Sequence, residues 1–249
     1  MQPFYQDKHI TIYHADARDA AEEIPDVGML LTDPSYGANF TSNRVPGRKL
    51  KPTANDGIRQ SVRLYRKLAP LIRAEHVLWF TNYKAYPDVY DILGERFRIR
   101  GCFTWDKGNP GLGDKKHPGT GCDWVISAGE GSLAVRRQGS VIYDHKPVPP
   151  TRRRHVHEKP VSLGVHFLTM FGITSMADLF IGSGNFLVGA KELGIMGYGA
   201  DVDERSCETA ARALESTEAG VLGSFRYPKR GTIEPRRVAP ETPRSEGCE

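Results

Sequence analysis

Met176-Ala-Asp-Leu-Phe-Ile-Gly-Ser-Gly184 decides the fold. Met176 to Phe180 is a short apolar run ending in a turn, which reads as a buried strand. Gly182 and Gly184 follow it, and a helical pattern continues to about Leu193. A glycine turn between strand and helix lets a backbone approach a ligand closely and points amide N–H groups at it. A dinucleotide fingerprint would need a third glycine where Leu187 stands, so the turn suits a nucleoside without a pyrophosphate. The next strand, Gly197 to Val202, carries Asp201, where a carboxylate can accept hydrogen bonds from ribose hydroxyls. A tight turn with no ligand is the alternative.

The same alternation recurs on either side of this stretch. Strands are expected at Ile10 to Tyr13, Val27 to Thr32, His76 to Thr81, Phe97 to Trp105 and Cys122 to Ala128. Helices are expected at Asp16 to Ile24, Ile58 to Arg73, Tyr83 to Leu93, Pro160 to Phe171 and Glu204 to Leu214, with Pro160 at a first helical position. Short apolar strands alternating with helices indicate an α/β fold with a mostly parallel sheet, whose ligands sit at the carboxyl ends of the strands. With 249 residues the chain is large enough for one substantial core, read as a single domain over 1–216. Residues 217–249 turn to Pro, Arg, Glu, Gly and Ser and read as a disordered basic tail.

Lys and Arg number 34 against 30 acids, a formal charge of +4, which excludes a histone-like tail protein. The positive charge is concentrated instead. Residues 38–57 carry Arg44, Arg48, Lys49 and Lys51, and Leu133 to Lys159 holds seven Lys and Arg against two acids. The second segment includes Arg136, Arg137, Arg152, Arg153 and Arg154. These are candidate phosphate contacts, and the loops 38–57 and 106–155 are candidate recognition regions. No run approaches the ~20 apolar residues of a membrane span, and the opening residues lack the apolar stretch of a signal peptide. Cys102, Cys122, Cys207 and Cys248 have no metal or redox spacing, and the eight histidines have none either, so no metal is expected. Trp79, Phe80 and Trp124 read as core.

The second strand ends at Asp33-Pro34-Ser35-Tyr36. The exocyclic amino group of a nucleobase is a poor nucleophile because its lone pair is delocalised into the ring. Two acceptors aimed at its N–H bonds, the Asp33 carboxylate and the Pro34 carbonyl, would favour a localised lone pair. Tyr36 would stack on the base. A base within a duplex must be flipped out to reach such a pocket. An ordinary polar turn is the alternative.

Together these segments resemble the beta-class, S-adenosylmethionine-dependent amino-group DNA methyltransferases, in which the catalytic motif precedes the cofactor motif. Leu31 to Gly37 resembles the family's D-P-P-Y motif, and Trp105 to Asp114 a segment after its later strands. His155-Val-His-Glu-Lys-Pro160 resembles H-P-T-x-K-P, Asp178 to Gly184 resembles D-x-F-x-G-S-G, and Gly197 to Glu204 the acidic ribose segment. The matches run from about Ile10 to Leu214. The resemblance implies a Rossmann-like fold and S-adenosylmethionine bound by Asp178, Phe180, Gly182, Ser183, Gly184 and Asp201, with Lys159 and Pro160 beside it. It implies a target base in duplex DNA held by Asp33, Pro34, Ser35 and Tyr36. Asp at the head of the tetrad favours adenine N6 over cytosine N4, which stays the alternative. Methylation of RNA or of a glutamine amide, and an inactive DNA-binding module, are further alternatives. Ser35 departs from the family's second proline, Val156 and His157 depart from its Pro and Thr, and no long recognition insert is visible. By the same resemblance the expected setting is the cytoplasm of a bacterial, archaeal or virus-infected cell. A homodimer and a cognate restriction nuclease are the partners it leaves open.

Overall fold

The computed structural model describes residues 1–35, 57–109, 121–131, 139–154 and 158–222. Nine strands form one sheet. They are β1 (Tyr5–Gln6), β2 (Ile10–His14), β3 (Val27–Thr32), β4 (Ala74–Thr81), β5 (Ile99–Asp106), β6 (Cys122–Gly129), β7 (Val141–Ile142), β8 (Ser175–Asp178) and β9 (Met196–Asp201). The helices are α1 (Ala17–Glu23), α2 (Ile58–Leu68), α3 (Tyr86–Gly94), α4 (Val161–Phe171), α5 (Asn185–Glu192) and α6 (Glu204–Glu215).

The sheet order is β1-β2-β9-β8-β3-β4-β6-β5-β7. Strands β2, β9, β8, β3 and β4 run parallel, while β6 is antiparallel to both β4 and β5. A parallel strand needs a helical crossover, which covers both sheet faces, so its residues must be apolar in both directions. Met29, Leu31, Leu78 and Phe80 face a core completed by Phe167 of α4, Leu187 of α5 and Ala210 of α6. Leu30, Val77 and Trp79, one position out of phase, face a second core with Ala20 of α1, Tyr65 of α2 and Ile92 of α3. The helix boundaries have local causes. Asp16 and Asp203 cap α1 and α6 with side-chain acceptors, and α4 stops at Gly172, left-handed with φ 65°.

The α/β architecture and the mostly parallel sheet agree with the sequence reading. Several details differ. The helix expected over Ile58 to Arg73 ends at Leu68, where Pro70 tightens the chain into the 3-10 turn Ala69–Leu71, and α3 begins at Tyr86 rather than Tyr83. The strand expected to reach Phe180 ends at Asp178, because its carboxylate accepts the Phe180 N–H and turns the chain away from the ladder. Pro160 is the residue before the helix rather than its first residue, with ψ 141°. Trp124 is half-buried, packed edge-on against Tyr86 with ring centroids 5.0 Å apart. The edge strands β1 and β7, two residues each, carry no apolar run to announce them. Among the described residues no helix is long and apolar enough to cross a membrane.

Candidate active site

The two halves of the site arrive from opposite ends of the chain. Strand β3 pairs in parallel with β8, Met29 opposite Met176 and Leu30 opposite Ala177. Both strands therefore end at one sheet edge, β3 delivering Asp33 and β8 delivering Asp178. This is the crevice where the chain order reverses, from β3-β4 on one side to β8-β9 on the other. A direct bond ties the halves: Thr32 Oγ1 donates to Asp178 Oδ1 at 2.8 Å.

The glycine turn stands beside it. Gly182 and Gly184 have φ of 49° and 78°, left-handed values that L side chains avoid. At Gly184 a Cβ would also lie 2.6 Å from Ala210 Cβ, so the turn seats closely on α6. The Gly182 N–H donates to Asp201 Oδ2 at 3.0 Å and Asp203 N–H to Asp201 Oδ1 at 2.9 Å. Asp201 is half-buried at the end of β9, Phe180 is half-buried, and Ser183 is buried.

Asn185, the first residue of α5, was not singled out in the sequence. It is buried, and its Nδ2 donates to Glu158 Oε1 at 3.0 Å and to the Lys159 carbonyl at 2.7 Å. Arg154 Nη2 donates to Asn185 Oδ1 at 2.5 Å, and Arg154 Nε pairs with Glu158 at 3.3 Å. The guanidinium expected on phosphate thus fastens the segment before α4 to the glycine turn. Arg152 and Arg153 are exposed, with Arg153 Nε donating to the Val148 carbonyl at 2.7 Å.

Lys159 also has a more specific position than the resemblance implies. Its ammonium is buried and pairs with Asp33 Oδ2, lies 3.5 Å from Asp123 Oδ2, and sits 5.0 Å from the centre of the Phe80 ring. Lys107 closes the row, 2.6 Å from Asp123 Oδ1. Burial disfavours charge on Lys159, yet the two carboxylates outweigh it and its pKa is raised. Burial likewise opposes ionisation of Asp123, but Lys159 and Lys107 prevail and its pKa is lowered. Asp33 Oδ1, by contrast, is buried with no hydrogen-bond partner among the described residues. Buried acceptors are almost always satisfied, which marks this oxygen as a candidate ligand contact. Pro34 is buried, and the Ser35 carbonyl accepts the hydroxyl of Tyr65, which fixes the loop from α2. Tyr36, Arg44, Arg48, Lys49, Lys51, Arg136 and Arg137 lie outside the described residues, as do His155, residues 223–249 and most of loop 38–57.

Asp178 is the unusual acid. Burial pushes its pKa up to about 7, helped by the charges of Asp33 and Asp201 and opposed by the Thr32 and Phe180 donors. A folded-state pKa above the unfolded value gives stability that is present below pH ~4 and lost as pH rises through 7. Asp178→Asn keeps the shape without the charge. Its unfolding free energy in urea should gain on the wild type as pH rises from 5 to 8, by on the order of 1.4 kcal/mol per pK unit removed. A difference that stays flat across that range would remove the titration from Asp178.

No protein-family model matches the chain, and no curated protein matches it by sequence. Solved structures do match. M1.HpyAVI in complex with SAM superposes with a TM-score of 0.62 at 19% identity, covering 82% of this chain and 98% of that one. The PvuII DNA methyltransferase, which is cytosine-N4-specific, superposes with a TM-score of 0.62 at 12% identity, covering 87% of this chain and 96% of that one. The fold of this chain is therefore the one shared by these two proteins over nearly their whole lengths.

Proposed function

We propose that the chain is an S-adenosylmethionine-dependent DNA methyltransferase that modifies the exocyclic amino group of a flipped-out base, adenine N6 in preference to cytosine N4. The observation that carries the reading is Asp33 Oδ1: a buried, unpartnered carboxylate oxygen at the edge where the glycine turn also lies. The residues present fit the cofactor. Gly182 is left-handed and only half-buried, and the Asp201 carboxylate stands at the end of β9, where ribose hydroxyls would meet it. S-adenosylmethionine, when bound, supplies a methyl group already activated by its sulfonium leaving group.

The chain's own work is positioning and electrostatics. Asp33 Oδ1 accepts one N–H of the target amine and the Pro34 carbonyl the other, which localises the nitrogen lone pair. That pair forms the new N–C bond as the C–S bond breaks, and the amine becomes positive beside Asp33. One proton then leaves to water. Arg152 and Arg153 are exposed, and on this reading they neutralise phosphates of duplex DNA.

The preference for adenine rests on the aspartate that heads the tetrad; the PvuII likeness favours cytosine N4 as the second reading. Expression in a methylation-deficient host, followed by modification-sensitive sequencing and mass analysis of digested nucleosides, should reveal N6-methyladenine at a defined site. N4-methylcytosine would exchange the first reading for the second, and unmodified DNA would overturn both.

A further inference from the structure

The antiparallel strand β6 begins at the same sheet edge where β3 and β4 end, because its first residues pair with the last of β4: Trp124 lies opposite Thr81. That direction brings Asp123 to the active edge. Strand β5 ends there as well, with Trp105 opposite Asp123, and the chain continues into Lys107. The result is a row of alternating charges, Asp33, Lys159, Asp123 and Lys107, contributed by four separate segments. The first three side chains are at most 13% exposed and Lys107 is 24% exposed, so water screens the row little at the Asp33 end.

We infer that Asp123, held by Lys107, is a positioning residue for methyl transfer that acts on Asp33 through Lys159. The inference rests on the proposed function. A lone lysine against Asp33 would draw the carboxylate's charge to itself and weaken the oxygen that faces the amine. Asp123 shares the ammonium from its other side, at 3.5 Å, and fixes where it sits. Asp33 is thereby gripped by one oxygen, Oδ2, and leaves Oδ1 directed at the substrate. The charges in the row also cancel in pairs. Removing the Asp123 charge leaves an extra positive charge near the nitrogen that becomes positive during transfer.

The test is single-turnover methyl transfer to the duplex site that the wild type modifies, with cofactor affinity measured separately by calorimetry and folding by thermal melting. Asp123→Asn should lower the single-turnover rate about 10- to 100-fold while the S-adenosylmethionine Kd stays within about threefold of wild type. Asp123→Glu, which keeps the charge, should be at least about tenfold faster than Asp123→Asn. Lys107→Met is the second variant, since its partly exposed side chain can be truncated with less risk to folding. It should slow transfer about three- to tenfold with unchanged cofactor affinity.

An active wild type with Asp123→Asn at the same rate overturns the inference alone. So do Asn and Glu variants that are equally slow, because packing would then explain both. A loss confined to cofactor affinity would also overturn it, by moving Asp123 to the cofactor site. A wild type that binds S-adenosylmethionine yet modifies no DNA overturns the proposed function itself, and this inference with it.

Discussion

Asp33→Ala should transfer methyl groups to its DNA site about 10²–10³-fold more slowly than the wild type and still bind S-adenosylmethionine within about threefold. The magnitude is that of removing one preorganised polar group aimed at charge that develops in the transition state. It is large here because Asp33 Oδ1 is already buried and unpartnered, so nothing need be reorganised when the amine arrives. The truncation also takes a partner from Lys159, whose ammonium keeps Asp123 at 3.5 Å. Asp33→Asn separates the two consequences. It retains a side chain of the same shape and removes only the negative charge, so it should fall between alanine and wild type in rate. If Asp33→Ala is folded, binds cofactor and methylates at the wild-type rate, the tetrad is not the base-holding site.

Much of this geometry was legible before any coordinates. The strand Val27–Thr32 is legible because an apolar run meets Asp-Pro, which cannot continue a buried ladder. The glycine turn is legible because two glycines between a strand and a helix mark left-handed backbone, here φ of 49° and 78°. What a linear reading does not contain is the partnership of residues far apart in the chain. Lys159 lies 126 positions from Asp33, Asp123 sits in a strand end with no distinguishing motif, and the segment that contains Lys107 does not announce its pairing with Asp123. The basic run around Arg152–Arg154 holds a further structural bond that composition does not show. Composition alone suggested one phosphate-binding patch, yet Arg154 is bonded to Asn185 and Glu158, and only packing could separate it from its neighbours. Asn185 had one available signal, its place as the first helical residue after Gly-Ser-Gly, where the turn's open backbone groups need a fixed neighbour.

Lys159→Met should cost about 3–5 kcal/mol of folding stability near neutral pH, the largest effect of any single change at this edge. The substitution keeps most of the side-chain volume against Phe80 but strips the ammonium from two carboxylates that are 13% and 9% exposed. Replacing a whole buried ion pair by apolar groups is often tolerated; removing one partner is not, because the other charge stays behind without compensation. The pH dependence follows in sign. In the wild type Asp123 has a lowered folded-state pKa, so its contribution is present above its unfolded pKa and fades as acid protonates it. Without Lys159 that carboxylate is desolvated with only Lys107 for a partner, so its folded-state pKa rises and the variant is penalised most where the group must ionise. The gap between variant and wild type in urea denaturation should thus be widest above pH 7 and narrow toward pH 5. Adding Asp123→Asn to Lys159→Met removes one of the stranded charges and should recover part of the loss, a coupling that a double-mutant cycle reads directly. Equal urea midpoints for Lys159→Met and wild type at pH 8 would mean that the row of charges does not hold this edge together, and the positioning of Asp33 would then have to come from the backbone of β3 and from Tyr65 on the Ser35 carbonyl alone.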